Sequence, residues 1–262
     1  MYSLNPALAQ AWRELLQWVV ERAGVDVEVI DHPPPQPLGP LWERPDMACA
    51  FMCGYPLARS PAALQVLAAP VPNPTRYGGL PRYGTDLVVR ADSGIRTVEA
   101  AYGLRMAYTT PDSMSGYQAP RRHLADAAAA RGGRLFSETV GPLLTPRRVV
   151  EAVLSGQADI GPLDGYAHDL LRLHEPALVA PLRTVASTAF VPIPPLVAAP
   201  GIDGRTVEGL RQALGAVATE RALARLRAAL LLRGFTPIVR TAYHATVAAA
   251  DQADALGYRP LA

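Results

Sequence analysis

Apolar positions along this chain change period several times, and each change predicts an element. Leu8, Trp12, Leu15, Leu16, Val19 and Val20 recur at helical spacing. Asn5 and Pro6 stand where an N-cap and a first helical residue belong, and Gly24 closes the helix. Val25, Val27 and Val29 alternate with acids, which predicts a short strand. After the proline-rich connector 32–37, positions 46–53 form a near-continuous apolar run, as in a buried parallel strand, ending at Gly54-Tyr55-Pro56.

Beyond a loop at 70–85 the pattern alternates strand and helix. Strands are expected at 86–90, 104–109, 134–139, 158–163 and 236–240, and helices at about 117–131, 146–154, 166–173 and 243–256. Two more helices are expected between Asp203 and Arg233. Alternating units of this kind imply an α/β protein, with an open sheet covered by helices on both faces. Ligands of such sheets lie beyond the carboxyl ends of the strands, where loops enter helix starts.

Composition narrows the function. Of 262 residues, 50% are hydrophobic and 18% charged, enough apolar material to exclude an unfolded chain. The formal net charge is +2, without the basic surplus of a dedicated nucleic-acid binder. All 25 residues counted as Lys+Arg are Arg, which removes Schiff-base and Walker-lysine chemistry. The two cysteines, Cys49 and Cys53, read as small core thiols; no metal site and no cofactor is expected. No apolar run is long enough to cross a membrane, and no signal-peptide pattern opens the chain. Localisation is left open between periplasm and cytoplasm.

The turn 108–117, Tyr-Thr-Thr-Pro-Asp-Ser-Met-Ser-Gly-Tyr, leaves a strand and enters a helix. It offers hydroxyls and free backbone N–H groups to an anion, or it merely caps the helix. Thr145-Pro146 is a second helix start of capping type. Asp164 ends a strand, where it can cap the next helix or accept hydrogen bonds from an amine or a protonated oxygen. His123 reads as a solvated surface residue, and His168, His174 and His244 show no motif partner. Hydrolase, zincin, dinucleotide and Walker motifs are absent from the sequence.

Taken in order, the segments 86–95, 104–108, Ser113-Met114-Ser115-Gly116-Tyr117-Gln118-Ala119-Pro120 and 156–164 resemble the phosphate/phosphite/phosphonate substrate-binding proteins of ABC importers. The resemblance covers roughly residues 40–215. It implies a two-lobed type II periplasmic-binding-protein fold, a clamshell with a ligand cleft between the lobes. Lobe one would take 1–88 and 192–262, lobe two 89–191, with crossovers near 86–91 and 188–197. By the same resemblance the ligand contacts fall on Tyr2, Tyr55, Thr110, Ser113, Ser115, Gly116, Tyr117, Thr145 and Asp164. Two departures stand out. Thr145-Pro146 occupies the place of a Ser-His pair, and the chain opens at Met1-Tyr2, where the family's first strand is already ending. The expected partners are a small anionic ligand and an ABC permease. The competing readings are an enzyme on the same scaffold, resembling chorismate dehydratases or thiamine-pyrimidine synthases, and a ligand-sensing module.

Overall fold

The computed structural model describes residues 2–33 and 36–262. Part of the proline-rich connector and Met1 therefore lie outside the described residues. The strands are β1 (Ala50–Phe51), β2 (Gln65–Pro72), β3 (Arg82–Tyr83), β4 (Thr85–Arg90), β5 (Arg105–Ala107), β6 (Glu138–Val140), β7 (Ile160–Asp164), β8 (Leu182–Ser187), β9 (Val191–Pro192), β10 (Leu196–Ala198) and β11 (Leu232–Thr236). The helices are α1 (Pro6–Ala23), α2 (Leu38–Trp42), α3 (Gly54–Arg59), α4 (Ala119–Ala129), α5 (Pro146–Leu154), α6 (Gly165–His174), α7 (Pro176–Val179), α8 (Gly204–Ala216), α9 (Ala224–Ala229) and α10 (His244–Ala255).

The chain divides into two compact units, one of residues 1–82 and 192–243, the other of 83–191 and 244–262. It crosses between them in β3, in β9 and again between Tyr243 and His244. Two boundaries differ from the expected ones. β4 lies wholly in the second unit, because it is hydrogen-bonded between β7 and β8. Residues 244–262 join the second unit as well, because α10 packs on α4 and the end of the chain is buried there, with Leu261 at 1% exposure.

In the first unit the strand order is β1-β10-β2-β11, with every pairing antiparallel. Asn5 caps α1 by accepting the Leu8 N–H at 2.8 Å, and Gly24 ends it in the left-handed conformation, as the pattern predicts. The helix lays Leu8, Trp12, Leu15 and Val19 inward. A separate apolar cluster joins Met47, Met52, Leu57, Val66, Val197 and Tyr243. Two expected strands change here. Positions 25–29 alternate in burial yet form no strand among the described residues; instead Arg13 bonds the Val29 carbonyl at 3.0 Å and pairs with Asp31. The apolar run 46–53 contributes only Ala50–Phe51 to a ladder, antiparallel to β10 rather than parallel. A continuous apolar run encodes burial and leaves the partner's direction unspecified. The last strand is likewise Leu232–Thr236 rather than 236–240, since Leu231 turns the chain at φ 46° directly after α9.

The second unit has the strand order β6-β5-β7-β4-β8. β5 runs parallel to β6 and β7, whereas β4 is antiparallel to β7 and β8, so the sheet is mixed rather than all parallel. β4 is the core of this unit: Leu87, Val88 and Val89 are fully buried. Met106, Leu124, Phe136, Ile160, Tyr258 and others close around it. Thr145 and Pro146 start α5 as the sequence predicts, with the Thr145 hydroxyl accepting the Arg148 N–H at 3.3 Å.

Candidate functional site

The pairing of the second unit brings three loops to one end of its sheet. β5, β6 and β7 are parallel, so the segments that follow Ala107, Val140 and Asp164 emerge on the same side. β4 runs the opposite way and starts there, with Thr85 opposite Asp164 in the register. The Thr110–Tyr117 turn, Thr145 and Asp164 therefore share this end of the sheet.

The turn is held mostly by its own groups. The Ser113 hydroxyl accepts the Gly116 N–H at 3.0 Å, and Ser113 N–H donates to the Thr110 carbonyl at 3.0 Å. Gln118 N–H reaches back five residues to the Ser113 carbonyl, also at 3.0 Å, which makes Met114–Gln118 one wide helical turn leading directly into α4. Wide turns of this kind recur at functional sites. Among the described residues the Ser115 N–H has no acceptor, and it lies at the positive end of the helix.

Gly116 is dictated by space. A Cβ there would lie 1.7 Å from the Thr109 hydroxyl oxygen and 2.8 Å from Thr109 Cβ. Thr109 itself is 6% exposed, and its hydroxyl has no hydrogen-bond partner among the described residues.

Ser115 is tied to both neighbouring strands. Its carbonyl accepts the Thr85 hydroxyl at 3.0 Å, and its own hydroxyl donates to Asp164 Oδ2 at 3.4 Å. Asp164 is 5% exposed, and its other oxygen accepts the Ala167 N–H at 3.0 Å, capping α6. The capping reading of Asp164 therefore applies through one carboxylate oxygen, while the other accepts from Ser115. Thr85 is fixed in turn by the Thr188 hydroxyl, which accepts its N–H at 2.9 Å.

The remaining expected residues have other surroundings. Tyr117 packs edge-on against Tyr108 at 5.5 Å, and its hydroxyl accepts the Leu261 N–H at 3.2 Å. In the first unit, Tyr2 is 2% exposed and packs against Trp12 and Phe51. Tyr55 is half-buried in the first turn of α3, where Arg59 donates to its hydroxyl at 3.2 Å and lies over its ring.

Sequence reasoning missed a buried Asp–His pair beside the site, joined by the exposed Ser187. Asp86 and His168 are 2% exposed; His168 Nδ1 bonds one Asp86 oxygen at 2.8 Å, and the Ser187 hydroxyl donates to the other at 2.8 Å. In a nucleophilic triad the histidine stands between serine and aspartate. Here the aspartate stands between the other two, so the trio is a structural network. The odd apolar context of Asp86, inside a strand of valines, is the signal that could have exposed it.

Neither cysteine is in a disulfide, and burial pushes the Cys49 thiol up to about 12, which keeps it protonated. Among the described residues no group of three or more His, Cys, Asp or Glu is placed to hold a metal ion. None of the described helices is long and apolar enough to cross a membrane.

Comparison with known proteins follows the same direction. Residues 3–243 match the model of a family described as ABC transporter, phosphonate, periplasmic substrate-binding protein. No match was found among curated proteins. The chain is similar in structure to a binding-protein component of an ABC phosphonate transporter from Pseudomonas aeruginosa: the TM-score is 0.81 and the identity 18%, covering 98% of this chain and 85% of that one. It is similar to PhnD1 from Prochlorococcus marinus, solved with methylphosphonate, with a TM-score of 0.73, 13% identity, and coverage of 97% and 95%. It also resembles the alkanesulfonate-binding protein SsuA from Xanthomonas axonopodis pv. citri, solved with MOPS, with a TM-score of 0.61, 19% identity, and coverage of 97% and 91%. These likenesses show the type II periplasmic-binding-protein fold.

Proposed function

The chain belongs to the phosphonate substrate-binding protein family of ABC transporters, and from that membership we propose that its Ser-rich turn captures a small tetrahedral oxyanion for an importer permease. The observation that supports this most is Ser115 beside Asp164. One residue offers a free backbone N–H and a hydroxyl, and the other offers a carboxylate oxygen 3.4 Å away. Neutral donors at a helix start stabilise an anion without a counter-cation. A fixed carboxylate in the same place repels a fully ionised group and accepts a hydrogen bond from one that keeps a proton or carries an amine. The ligand this combination suits is a monoprotonated phosphonate, phosphite or phosphate, or an aminophosphonate.

The part is binding without turnover. The buried histidine network has the wrong connectivity for a nucleophile, and Asp164 has one oxygen committed to its helix cap. Thr110 and Ser113 frame the same turn, and Thr145 borders it as the cap of α5.

Isothermal titration of the full chain with methylphosphonate, phosphite, phosphate and sulfate tests the reading. At least one phosphorus oxyanion should bind tightly and sulfate weakly. Ser115→Ala should lose about 1–3 kcal/mol of that binding, the cost of a hydrogen bond to a charged group. Silence from all three phosphorus compounds, or a Ser115→Ala protein with wild-type affinity, would sink it.

A further inference from the structure

We infer that the carboxy-terminal segment of the chain sets the position of the anion turn, through a relay of Arg121 and Gln118. The inference rests on the reading of that turn as the ligand site. Its observations lie elsewhere, in a guanidinium that is buried on the same helix face as Leu124, Ala125 and Ala128.

Arg121 on α4 is 4% exposed. On one side it faces the end of α10 and the tail: one arm donates to the Ala250 carbonyl at 3.0 Å, the other to the carbonyls of Arg259 at 2.9 Å and Tyr258 at 3.3 Å, and it pairs with Asp254. On the other side its Nε donates to Gln118 Oε1 at 3.1 Å. The amide end of the same Gln118 side chain donates to the Pro111 carbonyl at 2.6 Å, at the entry of the turn.

A second tie acts at the exit of the turn, where the Leu261 N–H donates to the Tyr117 hydroxyl. The tail that carries both ties is itself seated: Tyr258 and Leu261 are buried in the core cluster, and the Ala262 carbonyl accepts the Leu135 N–H at 2.9 Å. Ser113 and Ser115 thus lie between two anchor points, Pro111 and Tyr117, both fixed from the carboxy-terminal segment. Donors held in place before the ligand arrives do not have to be ordered by it, which strengthens binding without any added contact. Gln118 and Arg121 are positioning residues in this arrangement.

Gln118→Glu separates positioning from mere structural support. A carboxylate at 118 still accepts from Arg121, so the tail stays attached, but it has no proton to donate to the Pro111 carbonyl. Gln118→Met, which breaks both bonds, is the second variant.

The readouts are amide hydrogen exchange of the ligand-free full chain and titration with methylphosphonate and inorganic phosphate. With Gln118→Glu, exchange at Ser113, Gly116 and Gln118 should rise about tenfold and affinity should fall about tenfold, the worth of one hydrogen bond. Exchange in β4 should stay unchanged. Gln118→Met should loosen the turn and the tail together. Wild-type exchange in the turn of Gln118→Glu would overturn the inference, and so would an increase spread equally over the whole second unit. If the wild-type chain binds neither probe, the oxyanion reading fails, and the exchange arm still decides the relay.

Discussion

Gly116→Ala is the most severe small change the site offers. The added carbon would meet Thr109 Oγ1 at 1.7 Å, Thr109 Cβ at 2.8 Å and Ser113 Oγ at 3.0 Å. Rotating Thr109 moves its hydroxyl at no hydrogen-bonding cost, because that hydroxyl has no partner among the described residues. Rotation leaves the Cβ in place. Carbon atoms pack best at about 3.5–4.0 Å, so the turn must retreat from the strand by roughly 1 Å. That movement strains two bonds, Thr109 N–H to the Gly116 carbonyl at 3.3 Å and Gly116 N–H to Ser113 Oγ at 3.0 Å. Overpacking costs about 1–3 kcal/mol, and weakening the two bonds adds about 1 kcal/mol.

The expected loss is therefore about 2–4 kcal/mol, a fall of roughly 5–10 °C in melting temperature for a chain of this size. Thermal unfolding of the ligand-free protein reads it, and a titration with methylphosphonate should show weakened binding in the same variant. A double-mutant cycle assigns the cause. Thr109→Ala removes the 1.7 Å clash and keeps the 2.8 Å one, whereas Thr109→Gly removes both. In the Gly116→Ala background, Thr109→Gly should therefore recover more stability than Thr109→Ala, measured against each single variant. A Gly116→Ala protein that melts at the wild-type temperature would refute the steric reasoning, and so would a cycle with no coupling.

Two further predictions rest on charge. Arg105 grips Asp159 through its side chain at 2.9 and 3.0 Å, and that hydrogen bonding, ahead of their Coulombic attraction, holds the Asp159 carboxyl below the usual range. A depressed folded-state value stabilises the fold above the ordinary aspartate pKa, and this is lost as the pH falls through the depressed value. Asp159→Asn should therefore flatten the stability curve below about pH 4, and a variant curve parallel to the wild type in acid would contradict it. At the site, Asp164→Asn should keep the fold, since an asparagine also caps helices. It should narrow the preference for phosphonate over sulfate, and titration with both ions would show an unchanged ratio if the carboxylate plays no part.

The sequence made the local elements legible and left their partners hidden. Asn5, Pro6 and Gly24 bound α1, and Thr145 and Pro146 start α5, because capping is chemistry between residues a few positions apart. The alternation at 25–29 carries real half-burial, but a strand also needs a neighbour, and the neighbour is not written locally. The same limit explains the antiparallel β1 and the unit boundary at the carboxy terminus. Within the site, the contiguous turn from Thr110 to Tyr117 was readable as a strand-to-helix junction. The bond from Ser115 to Asp164 spans 49 positions, and that from Gln118 through Arg121 reaches the tail across more than 130. Arg121 was the hardest to see: helical spacing sets it in line with the buried Leu124, Ala125 and Ala128, but its partners on α10 and the tail are not written locally.

On the proposed reading of the turn as the ligand site, what would select a ligand follows from how Asp164 divides its two oxygens. One is fixed to the Ala167 N–H, so the start of α6 sets the angle of the carboxylate. The other faces the Ser115 hydroxyl, which donates to it at a distance long for a hydrogen bond. A ligand with its own proton can replace that donor. The Ser115 hydroxyl then turns to the ligand's charged oxygens, joining the free Ser115 N–H. A fully ionised sulfate supplies no replacement proton, and its charge meets the carboxylate uncompensated. On that reading the discrimination would lie in proton count rather than in size, and would hold only while the turn keeps Ser115 against Asp164, a position set by Thr85 and by the anchors at Pro111 and Tyr117.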